Sequence, residues 1–133
     1  MVPDEWGSVR EDLAADVRRV ADRLRGLSQA RLQAPVPPFA SRAAAAREVA
    51  RVLALAAQGA AASDQVHEPA WRQPPALADF AAGDQVAVTG HDLLAALDGV
   101  DPAADVWVPA GRRTAREVVA EAAEALAAIR RLL

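Results

Sequence analysis

The chain has 133 residues and no cysteine, enough for one domain with its own core and without disulfides, zinc–thiolate centres or thiol nucleophiles. Its 15 basic and 18 acidic residues leave a net charge of −3. They are mixed along the chain with no basic stripe to neutralise a row of phosphates, which excludes a nucleic-acid partner. No apolar run approaches the ~20 residues of a membrane span.

The first segment, Met1-Val2-Pro3-Asp4-Glu5, carries acid where a signal peptide carries base, so the chain reads as unprocessed, soluble and cytoplasmic. Every basic residue is Arg and alanine is abundant, the bias of a high-GC bacterial genome. Pro3 suits a first helical turn, and Asp4 and Glu5 suit the positive end of its dipole. A first helix over about 4–26 follows, with Trp6, Val9, Leu13, Val17, Val20, Leu24 and Leu27 on one stripe and Gly26 as its stop.

Pro35-Val36-Pro37-Pro38 breaks the pattern, and Ser41 is placed to cap a second helix over about 41–61. Its stripe is thin (Ala46, Val49, Val52, Leu53, Ala56, Ala60), which lets a neighbouring helix come close. A polar connection from Ser63 to Pro75 holds His67, Glu68 and Trp71. The third helix is expected over about 76–98, stopped by Gly99 and Pro102, with Leu77, Phe80, Val88 and Leu94 on one stripe and Val86, Leu93 and Leu97 beside it. Asp105 to Val108 alone suggests a strand.

Thr114 and Glu117 have the spacing of a capping box, in which each side chain satisfies a backbone N–H of the first turn. They open a last helix over about 114–132, with Ala115, Val118, Val119, Ala122, Leu126, Ile129 and Leu133 on one face. Four amphipathic segments with little strand pattern make the expected fold all-α, a single four-helix-bundle domain over 1–133.

Gly26-Leu27-Ser28-Gln29-Ala30-Arg31-Leu32-Gln33-Ala34-Pro35 after the first helix, together with Val108-Pro109-Ala110-Gly111 before Thr114-Ala115-Arg116-Glu117-Val118-Val119, resembles the DinB-like superfamily. The nearest branch is the N-terminal bundle of mycothiol-dependent maleylpyruvate isomerases. The resemblance implies an up-down-down-up four-helix bundle, often dimeric, in which three side chains hold a divalent metal. One ligand is a second-helix His in a pattern like Asp-Val-Leu-Ala-His-Leu-Ala; the others are His or Glu four apart in the last helix. Here Glu48-Val49-Ala50-Arg51-Val52-Leu53-Ala54 puts Val52 at the His position, and the last-helix pair falls at Glu121 and Ala125. One carboxylate from three ligands cannot hold a transition metal tightly, so neither cofactor nor metal is expected.

Asp84 and His91, seven apart on the inward stripe of the third helix, are the candidate catalytic pair, with Glu121 as a third member of a rebuilt site. The plainer reading is a core hydrogen bond between them or to a neighbouring helix. Gly90, beside them, marks close helix approach or a kink, unless it is simply a tolerated surface residue. His67 with His91 and Glu121, or His67 and Glu68 with Glu121 or Glu124, is the alternative metal set; such residues are more often solvated. Trp71 and Trp107 read as caps over an open bundle end or as a partner surface, and Arg112-Arg113 as solvated charges or an anion contact. The functional expectation is a non-catalytic DinB-like module that binds a partner, foremost a second copy of itself as a homodimer. The alternatives are a thiol-dependent transferase or isomerase at Asp84, His91 and Glu121, and a small-molecule-binding protein with a pocket between helices.

Overall fold

The computed structural model describes residues 3–133; Met1 and Val2, and with them the start of the acidic leader pattern, lie outside the described residues. The chain is mostly helical with one small two-stranded sheet. In order come α1 (Pro3–Arg25), α2 (Gln29–Gln33), α3 (Arg42–Ala61), a 3-10 turn (Asp79–Ala81) leading into α4 (Ala82–Ala96), β1 (Asp105–Val108), β2 (Gly111–Thr114) and α5 (Ala115–Arg130). No helix among the described residues is long and apolar enough to cross a membrane.

The first helix buries Trp6, Leu13, Val17, Val20 and Leu24 as the spacing predicts, and ends where the Gly26 N–H bonds the Asp22 carbonyl at 3.1 Å. The Trp6 indole donates to the Val100 carbonyl at 3.0 Å, tying this end to the chain after α4. The short α2 is absent from the sequence reading because five residues carry no period; its signal is the Ser28 cap, whose Oγ accepts from the Arg31 N–H at 3.2 Å. Ser41 caps α3 as expected, accepting from the Ala44 N–H at 3.0 Å. That helix is buried almost all round because it packs on α4, α5 and β1 together. Val52, expected in the core, is only half-buried.

The third long helix departs most from expectation. It begins at Ala82 rather than 76, because Gln85 Nε2 donates to the Pro75 carbonyl at 2.7 Å and Arg47 reaches the Leu77 carbonyl and the Asp79 carboxylate, which ties 76–78 down outside the helix with Ala78 extended. Three members of the first expected stripe face outward, Leu77 at 43%, Phe80 at 75% and Val88 at 59% exposure, while the fourth, Leu94, is half-buried against the core. The buried face is the expected neighbouring stripe of Val86, Leu93 and Leu97, joined by Gly83 and Gly90, alternately three and four apart. A Cβ on Gly90 would stand 2.5 Å from Val17 Cγ1, and one on Gly83 2.7 Å from the Ala21 carbonyl oxygen. The glycine face wins because it lets two backbones approach and pack densely, a gain that side-chain hydrophobicity alone does not register.

β1 and β2 pair antiparallel with Val106 opposite Arg113, turning through Pro109-Ala110, and Gly111 takes the positive φ of +136° that the return requires. Val106 is fully buried. The second strand, Gly111–Thr114, is not anticipated by the sequence, since Gly-Arg-Arg-Thr has no apolar alternation. Thr114 caps α5 by accepting from the Glu117 N–H at 3.2 Å, while the Glu117 carboxylate takes Arg113 Nε at 3.3 Å instead of closing the box.

Contacts along the helices fix their directions. Gly83 meets Ala21 while Gly90 meets Val17, so α4 runs against α1. Arg47 pairs with Asp79, and Gln58 shares a groove with Val88 and Asp92, so α3 and α4 run together. Arg42 Nε donates to the Leu132 carbonyl at 2.9 Å while Leu55 lies near Val118, so α5 runs against α3. Asp16 approaches Arg130 at 3.8 Å and Arg23 donates to the Leu133 carbonyl at 2.8 Å, so α5 runs with α1.

Candidate functional site: a recess between two helices and the hairpin

The hairpin is pressed against α3 at Gly59, where no side chain separates the helix from the Trp107 carbonyl. The Trp107 indole donates to the Gln65 carbonyl at 3.2 Å, and the Arg112 guanidinium lies 4.3 Å from its ring centroid while donating to the Ser63 carbonyl at 2.5 Å. Trp71, half-buried and bonded to Glu68 at 3.0 Å, comes to the same glycine. Both tryptophans thus gather at the C-terminal end of α3, and Arg112, though exposed, is tied there by its stack and its bond to Ser63.

So anchored, the hairpin turn closes one end of a recess of about 440 Å³ between α3 and α5. Its apolar walls are Val52, Leu55, Ala56, Val108, Val118 and Ala125. Arg51, Arg113 and Glu121 are its charged members. Glu48 binds Arg51 in a fork at 3.0 and 2.6 Å; Arg113 bridges Glu121 at 2.6 Å and Glu117 at 3.3 Å. The hydrogen bond from Arg51 holds the Glu48 carboxyl below its ordinary value, and the bonds to Glu121 and then Glu117 raise Arg113.

A carboxyl depressed in the folded state adds stability above its unfolded value of 4.5 and loses it as pH falls through the folded value. Glu48→Gln is therefore expected to cost about 0.3 kcal/mol at pH 7, small because the pair is half-exposed, and nothing in strongly acidic buffer. Melting curves at the two pH values measure the difference.

The structure separates the other candidates. Asp84 and His91 are exposed rather than inward, since the glycine face of α4 is the buried one. Asp84 accepts from Arg25 Nε at 2.8 Å, and neither it nor His91 lines the recess that holds Glu121. His67 and Glu68 are exposed on the crossover, and no group of three His, Cys, Asp or Glu among the described residues could hold a metal. Glu124 is exposed on α5. His91→Ala is expected to leave the melting temperature within about 2 °C of the parent, as for an exposed site; thermal denaturation checks it.

A second groove of about 310 Å³ lies between α3 and α4 under the extended chain at Arg72–Pro75, where Gln58 exchanges two 2.8 Å bonds with the Arg72 backbone. Sequence reasoning passed over Arg51, although the three-residue spacing of Glu48 and Arg51 was a usable signal, and it weighed Arg113 only as a solvated charge or an anion contact, because Arg113 meets Glu121 only through the hairpin. No family model, curated protein or solved structure matches the chain.

Proposed function

We propose that the chain is a DinB-like four-helix bundle of up-down-down-up order in which the metal centre has become an apolar recess, and that it acts as a non-catalytic module binding a small organic molecule there. One observation carries the reading: Val52, Glu121 and Ala125, the three positions where the resemblance puts metal ligands, line a single recess although they come from two helices. The helix directions, with α1 and α5 one way and α3 and α4 the other, support the same order. The donor set does not fit a metal. Val52 and Ala125 offer no donor atom, and the Glu121 carboxylate is taken by Arg113. What the recess offers is apolar wall and a volume within the ~300–1,000 Å³ of ligand pockets. A cysteine-free chain suits a reducing bacterial cytoplasm.

The test is titration with the uncharged fluorescent apolar probe N-phenyl-1-naphthylamine. The parent is expected to bind one equivalent, and Val52→Trp, which fills the recess, to lose at least ~10-fold in affinity at unchanged helicity. Equal binding by both would refute the assignment.

A second reading, self-association through the outer face of α4, is favoured by the exposure of Val88 on that face and of Leu77 and Phe80 just before it. Sedimentation showing a monomer throughout the micromolar range would dismiss it.

A further inference from the structure

The polar atoms around the recess select among ligands, and from their inventory we infer that it takes an uncharged molecule with an apolar body and a carbonyl-type acceptor oxygen, such as a ketone or ester. The inference rests on the reading of the recess as a binding site. A guanidinium carries five N–H groups and no acceptor. Arg51 spends Nε and Nη2 on Glu48, and Arg113 spends Nε on Glu117 and Nη1 on Glu121. Among the described residues, Arg51 Nη1 and Arg113 Nη2 donate to no protein acceptor, so each of the two guanidiniums at the recess keeps an unspent donor.

Charge decides what uses them. Two guanidiniums are surrounded by the three carboxylates Glu48, Glu117 and Glu121, leaving a local charge of −1. An anion entering this field meets net repulsion and must displace a carboxylate already bonded at 2.6 Å. A cation must compete with a guanidinium for Glu121. A neutral acceptor takes the place of water on a charged donor and displaces no carboxylate, while its body covers Val52, Leu55, Val108, Val118 and Ala125.

Three probes of one shape separate these cases on the full chain at pH 7: 2-acetonaphthone, 2-ethylnaphthalene and 2-naphthoate, titrated by intrinsic fluorescence or amide shifts. The ketone is expected to bind about fivefold more tightly than the hydrocarbon and at least fivefold more tightly than the carboxylate. Arg113→Met should remove the ketone's advantage over the hydrocarbon, and Arg51→Met provides the same readout should the first variant fail to fold. Naphthoate binding as tightly as the ketone, or ketone and hydrocarbon binding equally, would overturn the inference and leave the recess a general apolar site. Binding of none of the three would instead remove the recess as a site, and the inference with it.

Discussion

Gly59→Ala is expected to destabilise the protein by about 3 kcal/mol and to lower its melting temperature by roughly 10 °C. An added Cβ would overlap the Trp107 carbonyl, with its carbon at 2.8 Å and Trp71 Cη2 at 3.3 Å. The obstacle is backbone, so relief requires the hairpin to move as a unit, and the indole bond to Gln65 and the Arg112 stack move with it. Alanine's helix preference, worth about 1 kcal/mol over glycine, offsets only part of this cost. Gly7 supplies the control, because a Cβ there meets nothing within 4 Å. Gly7→Ala should stabilise by about 0.5–1 kcal/mol. Thermal or urea denaturation of the two variants gives the comparison, and a Gly59→Ala protein as stable as its parent would contradict the docking of the hairpin on α3.

The second large effect is a gain of function. With histidines at positions 52 and 125, Val52→His/Ala125→His would present two imidazoles and Glu121 to one point, a donor set suited to zinc. Arg113 must release Glu121, so Arg113→Ala is added to free the carboxylate. The triple variant is expected to retain one zinc per chain through gel filtration, with a dissociation constant of about 1 μM or tighter, or about 8 kcal/mol of binding, against none for the parent. Elemental mass spectrometry reads the outcome. A folded triple variant without zinc would show that residues 52, 121 and 125 do not converge as a ligand set, and would count against the DinB-like reading.

These two experiments touch different parts of what the sequence discloses. The helix after Thr114 is legible because its cap and its three-four stripe lie within one contiguous segment; the structure departs in turning Glu117 toward Arg113 and in ending the helix at Arg130, which leaves Leu133 beyond it and half-buried. The face of α4 is not legible by the same means. Its seam contains Gly83 and Gly90, which score as nothing on a hydrophobic stripe, whereas Phe80 and Val88 score highly and face outward. That misplaced face also turned Asp84 and His91 inward in the sequence reading. The recess is legible in outline, through Val52, Glu121 and Ala125, but its charged members depend on a hairpin whose second strand has no strand pattern.

Amide chemical-shift mapping of the isotopically labelled chain with 2-acetonaphthone tests the recess most directly. Saturable shifts are predicted at Val52, Leu55, Ala56, Val108, Val118 and Ala125, with Leu77, Val88 and Thr89 unmoved. Shifts concentrated at those last three residues, or none as the ketone approaches its solubility limit, would contradict the account.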